Sequence, residues 1–445
     1  MLRRLLLVVL ILLVAAAPAL AAPATEANID WRQAEGASII VAMNLHMETD
    51  ELDAQLAEFE ELTGIRVNFQ IYPEIELHQK TLVDLASGAG IFDVIMMDFM
   101  FTPQYAAAKF IEPLGPYLND PSLTDADWFK ASDFMPALWD AVSYNNEVYA
   151  LPFTVETTTL FYRPDIYADL GLAVPNNYDE LWHAAEAIHA NKSMDAIGLR
   201  GMRGQGMNVY VFAGFMRGFG GKFVADFPND MTPVINSPEN IAAADYYARI
   251  LQEFGPRGVA SWDWLEVLSG LQEGTIAMAI DASNFGPVID DYSTSRTAGK
   301  WGYALVPEGP GGRHPSIYTH TLAINAASRQ KTAAWLFIQW ATSEDVQIER
   351  ALRSGQPTRQ SIWDSAAFRE AMAHVGNGQW IDASVRSLDI VSADYRPRFE
   401  HWRQFGDQVG IALQSVIAKE QSAESAFNAA QKAIEELMRS AGYIK

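Results

Sequence analysis

The chain has no cysteine, so disulfides, thiolate metal sites and thiol nucleophiles are closed to it. The same absence removes the lipid-modified cysteine that tethers exported proteins to membranes, so an exported form is expected to be free and soluble. Beyond the first segment no run approaches about 18 consecutive apolar residues, which excludes a later spanning helix. Basic residues are scarce: 32 Lys and Arg stand against 55 Asp and Glu, a formal net charge of −23. A surface of that sign excludes nucleic acid as a partner, and its acidity reads as solubilising. Low-complexity tracts and repeats at a fixed period of roughly 20 to 50 residues are also missing, which sets aside disorder and solenoids.

What is present is folded material, with 49% apolar and 20% charged residues. A length of 445 residues exceeds one ordinary core and predicts a multi-lobed protein. Arg3 and Arg4, the apolar run Leu5 to Ala17 and the small residues "ALAAP" read as a secretory signal peptide over 1–21, cut after Ala21. The apolar run is short of the roughly 20 residues that span a bilayer. Loss of Arg3 and Arg4 takes the charge from −23 to −25. The mature chain is expected to be exported.

From Ser38 the chain alternates strand and helix. "SIIVAMN" is a strand, and Leu52, Leu56, Phe59 and Leu62 recur at helical spacing behind a Thr49/Asp50 cap, up to Gly64. "IRVNFQI" alternates as a half-buried strand. A second helix runs to Gly88, and "IFDVIMM" reads as a strand covered on both faces. Such a pattern predicts a parallel sheet wrapped by helices, with ligands beyond the carboxyl ends of the strands. Those ends carry Asn44, Leu45 and His46, then Tyr72, Pro73 and Glu74, then Asp98, Phe99 and Met100. A second α/β unit follows through "AIGLR", "PENIAAADYYARILQEFG", "LQEGTIAMAID" and "WGYALVP", and the last 40 residues are helical. Two extended segments, 149–167 and 317–342, read as crossings between lobes. The expected division is 22–152 with 318–352 for the first lobe, and 153–317 with 353–445 for the second.

Four segments carry a family resemblance: "FDVIMMD" followed by "FIEPL", "YALPFTVETTTLFYRPDIYADLGLAVPNNYDELWHAAEAI", "LQEGTIAMAIDAS" and "SIYTHTLAINAASRQKTAAWLFIQWATSED". In that order they resemble the extracellular solute-binding proteins of ABC importers, in the carbohydrate-binding branch that contains the maltose-binding protein. "GPRGVASWDW" and "AMAIDAS" resemble the polyol-binding members. The family's usual Asn is replaced by Arg163, and its common Gly near Asp281 is absent. The resemblance implies a two-lobed α/β periplasmic-binding-protein fold, each lobe a mostly parallel sheet wrapped by helices. It further implies a monomeric receptor without cofactor that closes on a sugar or polyol and docks on an ABC-transporter permease.

Sugar and polyol hydroxyls suit carboxylates, and their C–H faces suit aromatic rings, so the expected contacts lie at the cleft edge. From the first lobe these are Glu74, Asp98 and Phe99, with Glu156 at the first crossing. From the second they are Arg203 in "GMRGQG", Trp262, Trp264, Asp281 and Asn284; Tyr318 and His320 stand at the second crossing. Each has a plainer alternative. Phe99 and Trp264 read equally as core, Glu74 as a helix-start acid, and Arg203 as a solvated loop charge. Only Arg203 and Arg353 are expected as cations near the cleft, which favours a neutral ligand over a phosphorylated one.

Catalytic constellations are not found. There is no HExxH; "HAAEAIH" spaces His183 and His189 six apart, wrong for one metal. "GFGGKF" lacks the first glycine and the Ser/Thr of a phosphate loop, and no GxSxG elbow occurs. A secreted glycosidase using two of the many carboxylates is the competing class.

Overall fold

The first sheet grows out of the alternation that follows Ser38. β1 (Ser38–Asn44) leads to the helix Met47–Thr63, β2 (Arg66–Tyr72) to the helix Glu74–Ser87, and β3 (Val94–Asp98) to a tight turn of helix, Phe99–Phe101. β1 lies between β2 and β3 and runs parallel to both. Gly64 ends the first helix at φ 69°, in the left-handed region that favours glycine. The computed structural model describes residues 24–445, so the expected leader over 1–21 lies outside the described residues.

A small hairpin, β4 (Ser143–Tyr144) and β5 (Glu147–Val148), precedes β6 (Leu151–Pro152) and the long β7 (Glu156–Tyr162). β8 (Asp195–Gly198), the hairpin β9 (Val224–Asp226) and β10 (Asp230–Pro233), β11 (Ile276–Ala282) and β12 (Gly302–Leu305) follow. β13 (Ile317–Tyr318) and β14 (His320–Ile324) are separated by one residue. The first sheet has the order β2-β1-β3-β14-β6, and the second has β12-β7-β11-β8 with β13 beside β7. The chain therefore crosses between sheets at β6 to β7 and returns at β13 to β14.

Both sheets are mixed. In the first, β14 is antiparallel to β3 and β6; in the second, only β8 and β11 run parallel, while β11, β12 and β13 all oppose β7. Each sheet has its own core. Ile39, Val41, Met96, Leu322, Trp335 and Phe337 belong to the first. Leu160, Phe161, Ile197, Tyr247, Met278 and Ile280 belong to the second, where Phe405 and Phe427 of the C-terminal helices Trp402–Ile417 and Ala423–Ser440 join them. Burying an aliphatic or aromatic side chain of this kind contributes about 1.5–3 kcal/mol, so each sheet is well anchored. Among the described residues no helix is long and apolar enough to cross a membrane.

Two local expectations are corrected. The strand in "IFDVIMM" begins only at Val94, because the Asp84 carboxylate accepts the Ile91 and Phe92 N–H groups and takes them out of the ladder. Ile91 is exposed. The first helix is capped by His46, whose Nδ1 accepts from Glu48 N–H at 3.2 Å, rather than by Thr49 or Asp50. Thr49 instead donates its hydroxyl to the Asn44 carbonyl at 2.8 Å.

Candidate functional site

The return crossing sets the geometry of the site. Tyr318 pairs with Glu156 at the edge of the second sheet, and two residues later His320 pairs with Asp98 in the first. One short stretch thus brings four expected residues into register at the junction of the lobes. His320 is held on both ring nitrogens, by Asn44 Nδ2 and Thr154 Oγ1, each at 3.4 Å. The His46 and Tyr318 rings lie 5.0 and 4.9 Å from it, centroid to centroid.

Around this junction lies a narrow cavity of about 50 Å³. It is lined by Glu74, Glu156, Trp264, Asn284, Tyr318 and His320, all expected, and by Asn44, His46, Arg200, Gly206 and Tyr210 among others. The lobes meet here. Tyr318 Oη lies 3.5 Å from Glu74 Oε1, and a methyl group placed on Gly206 would sit 3.8 Å from that same oxygen.

Behind the lining two buried polar clusters hold the walls. In the second lobe Arg200 clasps Asp281: Nη2 to Oδ1 at 2.5 Å, and Nε to both oxygens at 3.0 Å. Arg200 also donates to the Gly206 carbonyl at 3.1 Å and lies 4.7 Å from the centre of the Tyr210 ring. Across the junction Asp98 Oδ2 accepts from Gln205 Nε2 at 3.0 Å, and Oδ1 accepts from Met100 N–H at 2.9 Å. Gln205 Oε1 in turn accepts from Arg396 Nη1 and from Trp402 Nε1, at 2.9 and 3.0 Å. One amide therefore ties a strand end of the first lobe to the C-terminal region of the second.

Burial and neighbouring charge set the protonation of the lining. Burial pushes the Glu156 carboxyl up to about 8; Arg200 opposes this, while Asp281, Glu74 and Asp98 add to it. At neutral pH Glu156 thus keeps its proton in the closed cleft and can donate as well as accept. Burial also raises Asp98, with Arg396 the main opposing charge. For Glu74, burial is outweighed by His78, His320 and Arg200, and the carboxyl falls to about 2. Burial takes His46 down to about 4 and His320 to about 3, so both imidazoles are neutral hydrogen-bonding groups.

Several expected contacts lie elsewhere. Asp98, expected as a strand-end contact, does not line the cavity; it is fully buried within β3 and turned to Gln205. Asp281 is likewise sealed and engaged by Arg200. Phe99 is wholly buried and belongs to the core of the second sheet. Trp262 does not line the cavity: its carbonyl accepts from Gly201 and Met202 N–H at 2.9 Å each, and so shapes the loop that carries Arg200. Arg203 is exposed, and Arg353 pairs with Glu51 on the surface. Among the described residues the cation that lines the cavity is Arg200, with Arg396 packed behind Tyr210. Neither was expected there, and the only sequence signal for Arg200 was its place at the end of the strand "AIGLR".

The lining offers hydrogen-bond donors and acceptors from both lobes beside the rings of Tyr210, Trp264 and Tyr318. Among the described residues no group of three or more His, Cys, Asp or Glu could hold a metal ion. Comparison with known proteins agrees with a binding cleft. The statistical model of the family described as bacterial extracellular solute-binding protein matches residues 48–348. An erythritol/L-threitol-binding protein of Mycolicibacterium smegmatis is 27% identical over 411 residues, covering 88% of this chain and 84% of that protein. A mannitol-binding protein of Pseudomonas aeruginosa is 27% identical over 397 residues, covering 86% of this chain and 88% of that one. Among solved structures, an ABC-transporter solute-binding protein of Agrobacterium radiobacter in complex with ribitol is similar with a TM-score of 0.82 and 25% identity, covering 91% of this chain and 99% of that one.

Proposed function

This chain belongs to the bacterial extracellular solute-binding protein family, and from that premise we propose that it captures a polyol or sugar between its lobes and delivers it to the permease of an ABC importer. The observation that carries this reading is the cavity at the lobe junction, where hydroxyl-binding side chains from both lobes stand beside aromatic rings. The erythritol/L-threitol, mannitol and ribitol binders it resembles point to a short linear polyol as the first ligand to try. Each charge-assisted hydrogen bond to a hydroxyl contributes about 1.5–3 kcal/mol net.

A neutral ligand fits the charges of the site. Arg200 is compensated by Asp281, Asp98 faces Arg396 through Gln205, and Glu156 carries its proton. Binding to the closed form alone shifts the hinge equilibrium, and the closed form is what the permease recognises. We assign the protein to the periplasm as a monomer released by cleavage after Ala21, and we assign it binding without turnover.

A thermal-shift screen over tetritols, pentitols, hexitols, mono- and disaccharides, with amino acids and phosphate esters as controls, tests the ligand class. A ligand at 100 times its dissociation constant adds about 2.7 kcal/mol of stability. Stabilisation by amino acids or phosphate esters, with none by polyols or sugars, would overturn the assignment. Sustained hydrolysis of a stabilising glycoside would instead mark an enzyme.

A further inference from the structure

Buried polar atoms in folded proteins are nearly always hydrogen-bonded. Beside this cleft one cluster of three side chains leaves four without a partner: Tyr210 Oη, Tyr395 Oη, and Arg396 Nε and Nη2. The three side chains are almost sealed, with relative exposures of 1%, 3% and 0%. They form one group. The tyrosine ring centroids are 6.4 Å apart, and the Arg396 guanidinium carbon lies 4.8 Å from the Tyr395 centroid and 5.9 Å from that of Tyr210. Arg396 engages only Nη1, on the carbonyl and the side-chain oxygen of Gln205 at 2.5 and 2.9 Å. Of the three, Tyr210 lines the cavity beside Glu156, and Arg396 and Tyr395 pack directly behind it.

We propose that Arg396, Tyr210 and Tyr395 form a donor subsite that takes hydroxyl oxygens of the bound polyol or sugar. The ligand then lies between this donor wall and the Glu74 carboxylate. This inference rests on the ligand class proposed above. A carboxylate or phosphate fits the subsite less well, because Asp98 is joined to Arg396 through the Gln205 amide and already supplies the opposing charge. Tyr395 and Arg396 lie beyond residues 48–348, so this part of the site falls outside the family-matched segment.

Tyr210→Phe and Tyr395→Phe each remove one oxygen and almost no packing, which makes them the decisive variants. Wild type and variants are titrated calorimetrically with erythritol, ribitol, D-mannitol and maltose, and their melting temperatures are measured without ligand. For a ligand that wild type binds, each variant is expected to raise Kd about tenfold or more. Its ligand-free melting temperature should be unchanged or higher, since the lost hydroxyl had no folded partner. A Kd within about twofold of wild type in both variants overturns the subsite while leaving the ligand class intact. A lowered ligand-free melting temperature with unchanged Kd also overturns it, marking the hydroxyls as structural. Failure of wild type to bind any of the four overturns the ligand class and the subsite with it.

Discussion

The first lobe meets the cleft with the ends of neighbouring strands, and it brings Asn44, His46, Glu74 and His320 to the lining. The second meets it with a crossing strand, the start of the helix Asn208–Gly218 and a C-terminal segment, and it brings Glu156, Arg200 and Tyr210, with Tyr395 and Arg396 behind them. One wall is rich in acceptors and neutral imidazoles, the other in cationic and phenolic donors. Closure therefore joins complementary surfaces, as Asp98 and Gln205 do directly. In such a cleft the buried cations are already matched and Glu74 is a further carboxylate, so a ligand has to satisfy hydrogen bonds rather than bring negative charge. A sugar or polyol does that, whereas an anion would unbalance it.

The largest break in this contrast comes from the ion pair that stiffens the donor wall. Arg200→Met leaves Asp281 charged and sealed, and removing one partner of a buried pair costs about 3–5 kcal/mol. The urea midpoint should fall accordingly with m unchanged. Arg200→Met combined with Asp281→Leu should recover most of the loss, because the uncompensated charge has gone. A single variant within about 1 kcal/mol of wild type would show that the pair is not sealed from water.

Next in size is the clasp between the walls. Gln205→Ala strips partners from Asp98, Arg396 and Trp402 together, and unsatisfied buried groups cost about 1–3 kcal/mol. Because Asp98 sits in the other lobe, ligand-free small-angle scattering should also show a larger radius of gyration than wild type. An unchanged radius with full stability would mean that Gln205 does not hold the lobes together.

The two walls differ as much in how far the sequence revealed them. β1, β2 and the helices between them follow from alternation and periodicity, and the strand-end rule led directly to Glu74 and to the edge around His46. Tyr318 and His320 were reachable because they stand at the second crossing, where the chain passes between lobes. The donor wall had no comparable signal. Tyr210 lies in the apolar run "NVYVFAGF" and reads as core, while Arg396 in "DYRPRF" reads as a solvated charge. Its partner Gln205 is 191 residues away, and only tertiary packing turns such an arginine inward. Trp262 and Arg203 were favoured as an aromatic ring and a cation in loops expected at the cleft edge. The fold uses the backbone of the first and leaves the second in water.

Acidity offers a gentler test of the same asymmetry. Glu156, held at about 8 in the closed cleft against an ordinary value of 4.5, keeps a proton that the unfolded chain has lost. Its contribution to stability therefore declines as pH rises from about 4.5 to about 8, by at most about 1.4 kcal/mol per pH unit. His46 and His320, at about 4 and about 3, act in the opposite sense, since the unfolded chain takes up their protons first as pH falls below 6.5. Two imidazoles outweigh one carboxyl below pH 6.5 and none opposes it above, so these three groups together favour the folded state most near pH 6.5. Chemical denaturation across pH 5 to 8.5 should show the decline above that point, and Glu156→Gln should flatten it. A decline of equal slope in the variant would move its origin to another group.

The smallest effect expected is the most pointed comparison, because it concerns two arginines of one loop. Arg200 is sealed against Asp281, whereas Arg203, three residues on, is exposed and reaches only towards Asp407 on the C-terminal helix. Exposed substitutions of this kind shift stability by no more than about 0.5 kcal/mol. Arg203→Ala should therefore leave both the melting temperature and the Kd for a bound polyol within error of wild type. If Kd instead rises tenfold while stability holds, the "GMRGQG" loop folds over the ligand on binding. The donor wall would then extend to the mouth of the cleft, and the contrast between the lobes would be sharper than the cavity lining alone displays.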